Sequence, residues 1–255
     1  MKKEMLIFSM AAIMAVISVV SCSKSNPSAP PSTEPETMTT ITPTITVTAT
    51  VTATATVTAT ATVTVVLNNI SFCEGVSSYT GASDSEISEI NPAANYGSSD
   101  YMKAGYTSTL GVMRSLISFD ISSIPSGSQI TKAKLTVHLN NSSGATTFNL
   151  KLVPVGAVWV ENEVTWDQAS GGLSWTGGDL SSANAAMPAL VQSTVTDVLV
   201  YEIEPYIVQG WLDNPLSNKG LAFVTENEAA LNFVVIYTGE TATQADRPLL
   251  EIEYH

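Results

Sequence analysis

With 255 residues, 10 Lys and Arg against 23 Asp and Glu, and a formal net charge of −13, the chain lacks the basic footprint that nucleic-acid phosphates or an anionic lipid surface would require. Two cysteines and two histidines, one of them the terminal His255, leave no material for a disulfide framework, a Cys/His metal cluster or a nucleophile triad. No Gly-x-Ser-x-Gly elbow occurs either.

Met1-Lys2-Lys3-Glu4 is a short basic leader, and an uncharged apolar run follows to Val20. Val19-Val20-Ser21-Cys22 closes it. A basic start, an apolar middle and small residues at the end read as a secretory signal peptide over 1–21. The run is also somewhat short for a spanning helix, which needs about 20 apolar residues. The closing residues resemble the bacterial lipobox. That resemblance implies cleavage before Cys22, a lipid on its thiol, and an extracytoplasmic, membrane-anchored chain. Ser23 after Cys22 lacks the aspartate that marks inner-membrane retention in some bacteria. With Cys22 lipidated, no disulfide is expected to staple the fold; beside the alternating Ile70 and Phe72, Cys73 reads as a buried, inert strand thiol.

Residues 22–66 carry no globular signal. Ser23 to Glu36 is rich in Ser, Pro and Thr, and from Thr40 to Thr64 every even position is threonine. Ile, Pro, Val or Ala fill the odd positions. β-Branched residues make such a segment stiff, so it reads as a disordered or extended linker. Its reach is about 145 Å at roughly 3.3 Å per residue. The other reading is a strand with an open edge that pairs with another copy.

Residues 67–255 are long enough for one large core. They hold 7 basic and 20 acidic side chains, a net charge of −13. Leu67–Cys73, Val112–Phe119 and Ile130–Leu139 have strand character, as do Thr147–Val155, Gly220–Thr225, Leu231–Tyr237 and Pro248–Tyr254. Asn140 to Gly144 supplies turn residues that would close a hairpin between the third and fourth of these. Asp197–Leu212 reads as a helix, or as a short one starting near Glu204, because Pro205 fits only a helix start. Many short strands between Gly, Asn and Ser turns imply an all-β fold, an antiparallel β-sandwich or jelly roll with one short helix.

Several segments then fall in a recognisable order. Asn95-Tyr96-Gly97 comes first, then Arg114 to Pro125, Ile130 to Leu135, and Trp159-Val160-Glu161-Asn162-Glu163-Val164-Thr165-Trp166. Gln209-Gly210-Trp211-Leu212, Asn218-Lys219-Gly220-Leu221 and Arg247 to Tyr254 complete the set. Together they resemble the DNRLRE domain, also described as carbohydrate-binding module family 96, over residues 75–254. The resemblance implies a β-sandwich appended to extracellular proteins, polysaccharide as partner, acidic polysaccharide in some members, and no catalytic role.

Sugars present apolar C–H faces, so exposed aromatic side chains bind them by stacking. Trp175, in a Gly-rich loop, is the best candidate; Trp159 and Trp166 suit packing. Tyr96, Tyr101 and Tyr106 lie in a loop-rich stretch that could line a groove. Arg114 suits a uronate carboxylate, or else pairs with Asp120 or a loop carbonyl. Lys132 and Lys134 share one strand face by period two and, with Lys103 and Lys151, form either a small basic face or a solvated surface. His138 follows on the same parity. Glu161, Glu163, Asp167 and Asp179 are the carboxylates for a structural calcium or an acid–base pair; no other cofactor is expected. The expected function is a lipid-anchored glycan-binding module. The alternatives are a structural or adhesion lipoprotein, and a small glycan-degrading enzyme.

Overall fold

The computed structural model describes residues 45–52, 58–143, 147–191 and 198–255. The expected signal peptide and Cys22 lie outside them. No helix of the described residues is long and apolar enough to cross a membrane.

In chain order the strands are β1 (Ile45–Thr52), β2 (Thr58–Val65), β3 (Asn68–Cys73), β4 (Ala82–Ser88), β5 (Tyr101–Thr107), β6 (Gly111–Phe119), β7 (Ile130–Ser143) and β8 (Phe148–Pro154). They continue as β9 (Gln168–Ser170), β10 (Leu173–Ser174), β11 (Ala189–Val191), β12 (Val198–Ile203), β13 (Leu221–Thr225), β14 (Phe233–Tyr237) and β15 (Leu249–Tyr254). The helix α1 (Pro205–Asp213) stands between β12 and β13. All pairings between these strands are antiparallel.

One curled sheet makes the sandwich. Its first layer runs β11-β8-β13-β6-β5-β14, with β4 also on β6, and its second runs β12-β7-β15-β3. The long β7 joins them. Its first part pairs with β12 and β15, and Leu139–Ser143 pairs with β14. Alternation along the strands sends Leu135, Val137, Leu250 and Ile252 from one layer against Ile117, Leu150, Leu152, Phe223 and Ile236 from the other. Fully burying each such side chain contributes about 1.5–3 kcal/mol. Tyr201 spans the core: its ring meets Phe223 edge-on at 5.6 Å, and its hydroxyl donates to the Leu150 carbonyl at 3.1 Å.

The all-β sandwich with one helix is as expected, but two local readings are corrected. β7 and β8 do not form a hairpin; β8 pairs with β11 and β13 instead. Period-two alternation reports which face is buried and not which strand lies alongside, so an arch between layers reads like a hairpin. Of the two helix readings, the one over Asp197–Leu212 is corrected, since residues 198–203 are strand, and the short one holds, starting at Pro205 with Glu204 as N-cap. Cys73 is buried at the end of β3. Within 22–66 the described threonine-rich stretches are strands β1 and β2, which pair with each other from Ile45↔Val65 to Thr52↔Thr58.

Candidate functional site

The outer face of the first layer carries a second apolar cluster. Ile87 of β4, Leu116 of β6, Val153 of β8 and Val224 of β13 point away from the main core and are roofed by the segment after β8. Val164, Ala169, Trp159 and Trp166 of that segment pack onto them, each tryptophan only 9% exposed. The Trp159 indole N–H donates to the Lys219 carbonyl at 3.0 Å. Both rings are packing residues, as expected.

Trp175 sits at the rim of this roof. It is half-buried against the cluster, its indole N–H donates to the Thr165 carbonyl at 2.8 Å, and its backbone N–H donates to the Asp167 carbonyl. With the N–H committed to Thr165, the exposed part of the ring offers a ligand an apolar surface. Asn95 holds the same roof from the other side. Its side-chain amide donates to the carbonyls of Glu161 at 2.6 Å and Val164 at 2.8 Å. Asn95-Tyr96-Gly97 is therefore a clamp on the tryptophan loop, a role that sequence reasoning missed. Tyr96 is half-buried beside it.

Arg114, on β6, lies beneath this loop. Its guanidinium stacks 5.1 Å from the Trp166 ring, donates to both carboxylate oxygens of Glu228 at 2.7 Å, and donates to the Gly177 carbonyl. Of the two structural readings, the loop carbonyl holds; the acidic partner is Glu228 and not Asp120. Gly177 is required here. It has φ +69°, and a Cβ would stand 2.7 Å from the Trp166 ring and 2.8 Å from Arg114 Nη1. Arg114, Lys151, Leu180, Ser181, Glu226 and Glu228 line a groove of about 200 Å³. Asn149 holds the Glu226 carboxylate at 2.8 Å. Lys151 makes no ion pair among the described residues. The groove thus offers a cation, hydroxyls and carboxylates at the edge of a tryptophan loop. A second cavity of about 330 Å³ lies near α1, between Phe119, Asp120, Trp211, Leu212 and Asn218. Its one charged group, Asp120, already accepts the Ser122 N–H.

The other expected residues lie elsewhere. Tyr101 and Tyr106 are on β5 and not in a loop; Tyr101 is 45% exposed with the Lys103 ammonium 5.0 Å over its ring. Lys103 is also tied to the buried Glu86 carboxylate at 3.2 Å. Burial raises the Glu86 carboxyl and the Lys103 charge opposes that rise. Lys132 and Lys134 belong to the second layer. Lys134 pairs with Glu251 at 2.5 Å and faces Glu202 in register, and Lys132 faces Glu253. Their strand face sets the two lysines against Glu202, Glu251 and Glu253, so it is not a basic face, and neither lysine joins Arg114. His138 is half-buried on that strand.

The carboxylates named for calcium do not gather as a set. Glu163 accepts the Gly171 N–H at 2.6 Å, and the Asp179 carbonyl accepts the Gly156 N–H. Among the described residues, the carboxylates that converge are Asp84, Glu161 and Glu240, each with an oxygen within 4.8 Å of the others. Only Glu161 is common to both groups.

No curated protein matches this chain. Residues 75–200 match the profile of carbohydrate-binding module family 96, a span that includes the clamp, Arg114 and the whole tryptophan loop, and this supports a carbohydrate-binding module.

Proposed function

We propose that residues 67–255, with their match to a carbohydrate-binding family over 75–200, are a non-catalytic polysaccharide-binding domain held at the cell surface by a lipid on Cys22. The observation that carries the reading is the coincidence of that match with a polar groove bordered by a tryptophan loop. A sugar ring stacks on the exposed part of Trp175, and its hydroxyls meet Ser181 and Glu226 in the groove. Lys151, with no competing ion pair among the described residues, takes the carboxylate of a uronic acid. Arg114 holds the groove wall through Glu228 and is not the first cation a ligand meets.

The test is affinity electrophoresis of the purified protein against neutral and uronic-acid polysaccharides. Trp175→Ala is expected to weaken binding about tenfold, equivalent to about 1.4 kcal/mol. Lys151→Ala is expected to weaken binding of the uronic polymers only, with an effect that fades as salt rises. If the folded protein binds none of the polymers, the reading fails and a protein partner takes its place. The anchor is tested separately. Cys22→Ala removes the acyl chains, each methylene worth about 0.8 kcal/mol of membrane binding. The protein is expected to move from the membrane fraction to the soluble one, and an unchanged distribution would reject the anchor.

A further inference from the structure

We propose that Asp84, Glu161 and Glu240 bind a calcium ion that ties three distant segments of the chain together. Asp84 comes from β4, Glu161 from the tryptophan loop and Glu240 from the turn after β14. Their carboxylate oxygens approach within 4.8 Å of one another, about twice a calcium–oxygen distance of roughly 2.4 Å. Like charges this close repel unless a positive charge stands between them. Among the described residues no lysine or arginine does so: the ion pairs are Lys103–Glu86, Arg114–Glu228 and Lys134–Glu251. Glu74 deepens the negative field, since its carboxylate accepts the Ala82 N–H at 3.2 Å beside the same turn.

A second observation is independent of the clustering. Asp84 is only 2% exposed. Its Oδ2 accepts the Gly239 N–H at 2.8 Å, while the equally buried Oδ1 has no hydrogen-bond partner. A buried carboxylate oxygen without a donor is an arrangement that native proteins rarely keep without an ion or a water to satisfy it. Oδ1 is the oxygen left for the cluster. Glu161 is already drawn against the same residue, its Oε1 accepting the Asp84 N–H at 2.7 Å. Burial, and then Glu240, holds the Asp84 carboxyl well above the usual carboxylate range.

The donor set selects the cation. Carboxylate oxygens with no sulfur or imidazole suit a hard ion. Ligands from three unconnected segments do not impose the strict octahedron that magnesium demands, and the exposed Glu240 leaves water free to complete six to eight ligands.

The experiment is a thermal melt of the purified protein in chelator, in about 1 mM calcium chloride and in about 1 mM magnesium chloride, repeated for Asp84→Asn and Glu240→Gln. Calcium is expected to raise the Tm of the unaltered protein by at least about 4 °C, and magnesium by less. Both variants are expected to lose the rise, and Asp84→Asn to melt in chelator no lower than the unaltered protein because it relieves the crowding of carboxylates. Glu240, exposed and outside the core, keeps the test decisive if Asp84→Asn does not fold. An unchanged Tm in calcium overturns the site. A rise that survives both substitutions overturns it too, because the ion then sits elsewhere. An equal rise with magnesium overturns the choice of cation.

Discussion

Arg114 is one β6 side chain held by three unlike partners: the face of Trp166, both oxygens of Glu228 and a loop carbonyl. Its charge is therefore balanced from within the fold. Glu228→Gln tests this. The amide cannot neutralise the guanidinium, and the half-buried pair gives up about 1 kcal/mol, visible as a lower midpoint in urea. Arg114 then faces the groove as an uncompensated cation, so uronic polymers are expected to bind several-fold more tightly and neutral ones as before. An unchanged affinity for the uronic polymers would show that Arg114 stays out of ligand reach. Little of this was legible in the sequence. The packing of Trp159 and Trp166 was expected from their place in the motif that resembles the family. The partner of Arg114 lies far along the chain in a polar stretch that carries no periodic signal. Asp84 is harder still, since a single buried aspartate in an ordinary strand looks like any other until its cross-chain neighbours are known.

At the level of elements, strand character was readable wherever one face is buried and the other wet. β3, β6, β7, β8, β13, β14 and β15 all fall within the segments expected from alternation, give or take a few end residues. β12 was missed because Val198, Leu199 and Tyr201 also suit a helical stripe, and the proline that starts α1 was the better guide. β5 was missed because Gly105 and two tyrosines look like loop composition. Gly105 is in fact needed within the strand: it has φ +133°, and a Cβ would stand 2.1 Å from the Asn232 carbonyl oxygen. Pairing was not readable at all, since β7 has to serve both layers and no local signal marks the point where it changes partner. The helix contributes a plug. Val208 and Trp211 enter the core, and the Gln209 side chain accepts the Ile130 N–H at 2.8 Å, fixing the start of β7.

Across the whole molecule, acid groups outnumber basic ones, and the fold resists the ionisation of two phenols, Tyr201 deep in the core and Tyr79 half-buried at its edge. Burial pushes the Tyr201 hydroxyl well above its ordinary value, and burial followed by Asp120 does the same to Tyr79. Because both are raised, the stability they contribute is fully present below the unfolded tyrosine value of about 10 and is lost as pH climbs beyond it. Tm is expected to fall steeply above pH about 10. Tyr201→Phe is expected to flatten part of that fall while lowering Tm at neutral pH, since the Leu150 carbonyl loses its donor. An unchanged alkaline slope in the variant would reject the assignment. The β1–β2 pairing matters at this scale as well. Matching Ile45 to Val65 lays two strands side by side in a segment that could otherwise run straight. A lone two-stranded ribbon is only marginally stable in water, so a modest pull would unzip it. The twenty peptide units between those residues then pay out roughly 65 Å of contour. With the lipid anchor proposed above, such a segment would behave as a shock absorber that yields under shear before the load reaches the sandwich.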